Sequence, residues 1–413
     1  MRQVLKPGEL ARYADTIVKG CLDFRRGEDL IIRADPAHRE LTVALTEAAY
    51  RAGARTVDVS GDDPRVQAAR YRLARNDAIG EVAPWQLAHQ RGLIEPTTAL
   101  AQISGDSEPE ALANLSPERI AADVAGRVAK MPWYTKARRE GKFRATIAPW
   151  PTEHWASKVY PELQPLNAQR KLAREILSFC RIAPGDPPGH KGWTAHLSEL
   201  RRRSARLTKL GLERLEVRAP GTRLDLRLHP EGVWAGGGEV NGYGRRIAMN
   251  VPTEECFTTP EAAATEGTFR CTRPRVFHGR EIEGLAGEFR GGRLVRLEAK
   301  RASDRDFLAA YIAATPGADR LGEIALVDRS SRIGRTGRIF YNGLLDENAV
   351  AHMALGSGFE KTRVRRPRVR GTRGVNQSRM HLDVMIGSDE LEATGITAKG
   401  RRVPLIADGA WQI

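Results

Sequence analysis

Asp29-Leu30-Ile31-Ile32-Arg33-Ala34 decides the first half of the fold. Its unbroken apolar run predicts a buried strand, because a strand with one wet face would alternate. Upstream, Leu10, Tyr13, Ala14, Ile17 and Val18 recur at helical spacing within residues 8–20. Downstream, residues 37–52 return to a helical pattern that ends near Gly53. Thr56 to Ser60 then predicts a second strand, broken by Gly61-Asp62-Asp63-Pro64. Helix, strand, helix, strand at these lengths predicts a parallel sheet covered by helices. Leu100 to Ser104 and Ala145 to Ala148 extend the strand series, and helical patterns fill 117–139 and 153–183.

A break at Pro184-Gly185-Asp186-Pro187-Pro188-Gly189 precedes one more helix, about 193–210. From Arg214 the texture changes. Leu215 to Arg218, Leu224 to Leu228 and Val295 to Ala299 alternate apolar and polar residues between glycine turns, as antiparallel strands do. The predicted class is α/β: a parallel-sheet α/β domain over 1–212, then an α+β domain over 213–413 with a largely antiparallel sheet. Gly236-Gly237-Gly238 lacks the spacing of a nucleotide-binding loop and reads as a turn.

The 413 residues are 41% hydrophobic and 28% charged, the balance of a globular protein with substantial cores. No run of about 18 apolar residues predicts a membrane span, and the first residues carry no secretory apolar core. Four cysteines, Cys21, Cys180, Cys256 and Cys271, show no CxxC pair, which fits reduced thiols in a cytoplasmic protein. The net charge of +15 invites nucleic acid. The arginines are spread along the chain, however, and the most basic segment, 361–379, has no aromatic residue on which bases could stack. Nucleic acid is therefore not the expected partner.

Metal-ligand residue types collect in the C-terminal part. Glu254 and Glu255 lie in Asn250-Val251-Pro252-Thr253-Glu254-Glu255-Cys256-Phe257-Thr258, where adjacent like charges ask for a compensating cation or proton. Glu323 follows Leu321-Gly322 at the mouth of the apolar strand Ile324 to Val327. Asp346-Glu347-Asn348 precedes Ala349-Val350-Ala351-His352-Met353-Ala354-Leu355, which predicts a helix capped by Asp346 and ended by Gly356. His381-Leu382-Asp383 opens a strand-like stretch and puts an imidazole and a carboxylate on one face. Glu255, Glu323, Glu347 and Asp383 would neutralise two divalent cations, and mixed oxygen and nitrogen donors suit zinc, cobalt or manganese. Paired metals of this kind serve hydrolysis. There is no HExxH helix and no GxSxG elbow.

In order and context these segments, with Asn376-Gln377-Ser378, resemble the thermophilic aminopeptidase family of metallopeptidases. The resemblance implies metal-dependent removal of N-terminal residues from short peptides, a homodimer, and an enclosed cavity. It implies two divalent metal ions held by Glu255, Glu323, Glu347, His352, His381 and Asp383. Glu254 is then the candidate general base, beside Glu255. Arg365, Arg366 and Arg368 are candidates for a basic cavity entrance that attracts substrate carboxylates. Phe359 stands where the family often has a tyrosine, which leaves open a specialised amide hydrolase. A different chemistry on a similar fold is that of ring-cleaving 2,5-dihydroxypyridine dioxygenases. There His352, His381 and Asp383 would hold a single iron, while the three glutamates argue for two metals.

Overall fold

The structure, a computed structural model, describes residues 3–61, 63–105, 107–112, 115–278, 280–359 and 374–413. Its contacts gather into two compact units, Met1–His196 with Gly238–Pro252, and Leu197–Gly237 with Thr253–Ile413. A single cut near 212 is therefore not how the contacts divide the chain. The division falls inside the helix Lys191–Lys209, and residues 238–252 return to the first unit.

The first unit is built on a four-stranded parallel sheet, in the order Thr56–Gly61, Asp29–Ala34, Thr98–Ser104, Ala145–Pro149. Asp29–Ala34 is an inner strand, which is why Leu30, Ile31 and Ile32 are buried together. Several covering helices begin on proline, at Pro7, Pro64, Pro84 and Pro165, where the missing N–H costs nothing. Proline also divides the two long helical patterns. The first becomes Pro117–Lys130 and Pro132–Arg139, and the second Glu153–Val159 and Pro165–Phe179. The returning segment lies beside the fourth strand: the Ile147 N–H donates to Met249 O at 2.7 Å, and the Val251 N–H donates to Ile147 O at 3.0 Å.

The second unit carries an eight-stranded sheet whose neighbouring strands are antiparallel. It runs from Arg293–Glu298 through Ala286–Arg290, Pro260–Arg270, Thr222–Leu228, Leu212–Ala219, Glu392–Thr397 and Arg402–Ala407 to Ala410–Trp411. A smaller antiparallel sheet has the order His381–Met385, His352–Gly356, Leu321–Leu326, Cys256–Thr258. As predicted, the class is mixed α/β with a parallel first sheet and a large antiparallel second one.

The predicted helix over Ala349 to Leu355 is not formed. His352–Gly356 is instead an inner strand, every residue buried, hydrogen-bonded to Leu321–Leu326 on one side and His381–Met385 on the other. Alanine, methionine and leucine favour helix locally, but two flanking strands outweigh a propensity worth tenths of a kcal/mol per residue, roughly. Asp346 is not the cap either. Asn342 caps the short helix Gly343–Glu347, and Asp346 lies inside it.

Candidate metal centre

The small sheet sorts its side chains by the two-residue period of a strand. One face carries Cys256, Ile324, Leu326, Met353, Leu355, Leu382 and Val384, all members of the unit's main hydrophobic cluster. The alternate positions carry Glu323, His352, His381 and Asp383, with Glu255 one residue before the Cys256 strand. Glu323 pairs with Ala354, and Ala354 with Asp383, so the two carboxylates flank a methyl group in one row. Ala325, opposite His352, keeps the same face shallow. The sequence thus places small residues where the polar groups must converge. Ala354→Leu is expected to fill this space and abolish metal binding, at a folding cost of about 1–3 kcal/mol. Metal analysis together with thermal unfolding checks it. Undiminished metal in the folded variant would remove Ala354 from the floor of the site.

Gly322 is required by geometry. A Cβ there would lie 2.3 Å from Ser357 O and 2.4 Å from Gly356 O. This close approach coincides with the register irregularity between Leu321 and Glu323. Gly236, in the Gly236-Gly237-Gly238 turn segment, packs closely on the backbone at Glu255: a Cβ there would lie 2.7 Å from Glu255 O. Ala235 and Phe257 exchange backbone hydrogen bonds at 2.8 Å, so this segment braces the edge strand next to Glu255.

Two sets of donor atoms result. Glu255, Glu323 and His352 form one, and Glu323, His381 and Asp383 form the other, the atoms of each within 4.8 Å of one another. Glu323 belongs to both. His352 Nε2 is 3.3 Å from Glu255 Oε2, and His381 Nε2 is 3.2 Å from Glu323 Oε2 and 3.1 Å from Asp383 Oδ1. Each imidazole turns Nδ1 towards a backbone carbonyl, Val350 O at 3.4 Å and Ser357 O at 2.9 Å. With Nδ1–H donating, Nε2 keeps a lone pair for a cation. Glu255, Glu323, His352 and Asp383 are buried, and His381 is the accessible member at 31% side-chain exposure.

The electrostatics call for cations. Burial raises the Glu323 carboxyl, and Glu255 nearby adds to the rise against the pull of His381. Burial, with Asp383 and Glu255, raises Glu347 well above the carboxylate range. Burial alone would depress both imidazoles. The hydrogen bond and charge of Glu255 instead lift His352 to about 10, and Asp383 and Glu323 lift His381 well above its usual value. Asp383 is held down, since the imidazolium of His381, with Arg275, outweighs its burial. The crowded carboxylates thus push both imidazoles and Glu347 towards holding their protons. Divalent cations would replace those protons, so the donor set fits metal.

Glu347 ends the short helix Gly343–Glu347 and is half-buried. It lies outside both donor sets, although Asp383 and Glu255 act on it. Asn348, fully buried, joins the acidic segments. Its Oδ1 accepts from the Glu254 N–H at 2.8 Å, and its Nδ2 donates to Leu344 O at 2.9 Å and to Glu347 Oε1 at 3.4 Å. Glu254 itself is buried. Phe359 stands against His381 with ring centroids 5.2 Å apart, and against Phe257 at 5.4 Å. Arg365, Arg366 and Arg368 lie outside the described residues.

Two arginines near the site escape sequence reasoning. Arg273 Nη1 reaches Asp346 Oδ1 at 3.3 Å, and Arg275 Nη2 reaches Asp383 Oδ2 at 3.4 Å. Asp346 also accepts from the backbone N–H groups of Phe340 (2.9 Å) and Asn342 (3.1 Å), which fixes the turn ahead of Glu347. Among so many arginines, only the alternation Arg273-Pro274-Arg275 could have drawn attention to them.

Paired carboxylate–imidazole donors on an antiparallel sheet make a set able to hold divalent cations. The chain matches the thermophilic metalloprotease (M29) family over residues 7–411. It is 31% identical over 409 residues to aminopeptidase AmpS of Bacillus subtilis, covering 98% of each chain. To aminopeptidase T of Thermus thermophilus it is 32% identical over 407 residues, again 98% of each. The solved structure of wild-type AmpT from Thermus thermophilus matches with a TM-score of 0.88 and 30% identity, over 98% of this chain and 99% of that one. The structure of 2,5-dihydroxypyridine dioxygenase from Pseudomonas putida matches with a TM-score of 0.53 and 14% identity, over 98% of each, a likeness of fold alone. The chain belongs to the thermophilic metalloprotease (M29) family and is a hydrolase. Among its described residues, no helix is long and apolar enough to cross a membrane.

Proposed function

We propose that this protein is an aminopeptidase that hydrolyses the first peptide bond of short peptides with two divalent metal ions, zinc, cobalt or manganese. The observation that carries the reading is the sharing of Glu323 by two donor sets. One ion would be held by Glu255, Glu323 and His352, the other by Glu323, His381 and Asp383, with Glu347, on which Asp383 and Glu255 act, as the remaining candidate ligand. When bound, such ions polarise a carbonyl and make a water a stronger nucleophile. The rest of the chemistry falls to the chain. Glu254, buried and anchored through its backbone to Asn348, would take the proton of the attacking water and pass it to the leaving amine. Phe359, packed on Phe257, would give an apolar face beside His381 against which a substrate side chain could rest. The reading includes a homodimer, as the resemblance implies, and a cytoplasmic location, which the four scattered cysteines support.

The two imidazoles fall in different donor sets, which supports two metals over a single iron held by His352, His381 and Asp383. Metal content of the purified protein, measured beside amino-acid release from dipeptides and N-terminal amides, tests the reading. Two metals with chelator-sensitive release from dipeptides are expected. Release from amides alone would favour a specialised amide hydrolase, and one iron without peptide cleavage would overturn the peptidase. Glu254→Gln is expected to lower turnover by about 10²–10⁴-fold, the usual span of general acid–base catalysis. Full turnover in that variant would exclude the role given to Glu254.

A further inference from the structure

We propose that Arg275 is a positioning residue for one half of the site, the half made by Glu323, His381 and Asp383. The proposal rests on the two-metal reading. The two oxygens of Asp383 are divided: Oδ1 faces His381 Nε2 at 3.1 Å, and Oδ2 faces Arg275 Nη2 at 3.4 Å. A carboxylate with one oxygen held from behind presents the other as a single, directed donor.

The surroundings hold the guanidinium for this task. Arg275 opens a short antiparallel ribbon, Arg275–Phe277 with Arg280–Ile282, and its side chain is 15% exposed. Just before it, Thr272 docks on the end of the Asp383 strand. Its N–H donates to Met385 O at 2.8 Å, and its hydroxyl donates to Gly387 O at 3.0 Å. Arg273 fixes the same segment to Asp346. On the far side, a Cβ at Gly343 would lie 2.5 Å from Arg275 Nη1, so the short helix starts on a glycine where the guanidinium needs room. Three separate elements thus aim one cation at the back of Asp383. The Glu255, Glu323 and His352 set contains no group that Arg275 contacts in this way.

The asymmetry makes the proposal testable. Removing a positive charge would by itself raise affinity for a cation, so a fall in affinity reports lost orientation. Zinc binding is measured by chelator competition in the full-length protein, for R275M, R275K and G343A. G343A displaces the guanidinium without deleting it and serves if R275M does not fold. Expected is a loss of about 10–100-fold at one of two sites, with R275K recovering part of it and the other site unchanged. In a His352→Ala background, which leaves only the Asp383 half, R275M should weaken the remaining zinc. In a His381→Ala background it should not. Two unchanged sites in R275M and G343A, or equal loss at both, would overturn the proposal while leaving the two-metal reading intact. Fewer than two zinc ions in the unsubstituted protein would overturn both.

Discussion

Glu323→Gln is expected to strip both metals from the site and to lower peptide turnover by roughly 10³-fold or more. Glu323 is the one carboxylate common to both donor sets, inside a strand whose six residues are all buried. A neutral amide there removes one negative charge from each half at once. Lewis-acid assistance is worth several kcal/mol of barrier, and each tenfold in rate is about 1.4 kcal/mol, which sets the magnitude. The fold should survive, because glutamine keeps the shape and relieves repulsion with Glu255 that already raises the Glu323 carboxyl. Glu255→Gln and Asp383→Asn should each weaken one metal only. Elemental analysis, dipeptide turnover and unfolding of the metal-free variants separate these outcomes. A Glu323→Gln protein that retained two tightly held metals would sink the shared-ligand arrangement.

The second large effect is in the first unit, far from the chemistry in sequence. Glu28→Ala is expected to destabilise that unit by about 3–5 kcal/mol, the range for stranding a buried charge. Arg144 donates through Nη1 to both Glu28 oxygens at 2.7 Å, and Arg245 Nη1 meets Glu28 Oε1 at 2.7 Å. The side chain of Arg144 is 1% exposed, and among the described residues its Nε and Nη2 find no hydrogen-bond partner. Arg245 also pairs with Asp23 at 2.7 Å. This network joins the start of the Asp29 strand, the residue before the Ala145 strand and the returning segment 238–252.

Its pH dependence has a definite sign. Burial raises the Glu28 carboxyl, but the hydrogen bonds from Arg144, the Arg25 N–H and Arg245 outweigh it, so the folded pKa lies below 4.5. A depressed folded pKa gives stability that is fully present above the unfolded value and lost as pH falls through the folded one. Glu28→Gln should therefore flatten the acid limb below about pH 4.5 as well as lower stability at neutral pH. Denaturant unfolding followed from about pH 7, above the window of this linkage, down to about pH 3, within it, checks both. An unchanged acid limb in Glu28→Gln would mean that other carboxylates set it.

How far each feature was legible follows from the range of the forces behind it. Leu30-Ile31-Ile32 announced an inner parallel strand because burial on both faces writes an unbroken apolar run. His381-Leu382-Asp383 announced a strand with two ligands on one side for the same local reason, the two-residue period. Local composition puts His352 on the wrong element, since Ala349 to Leu355 is helical in composition and only its two strand neighbours make it a strand. Arg273 and Arg275 were invisible because a guanidinium's partner is set by a fold that brings residue 275 to residue 383.

The sequence by itself determined the alternation of elements, the class of each sheet, and the donor types able to hold cations, since periodicity and chemistry are properties of neighbours along the chain. Tertiary structure alone decided that Glu323 serves two donor sets, that Asn348 joins Glu254 to Glu347, and that residues 238–252 belong to the first unit. Those facts depend on register between strands and on buried ion pairs across more than 100 residues, such as Glu28 with Arg144 and Arg245. No local pattern encodes such contacts, because their energy is realised only when distant segments exclude water together.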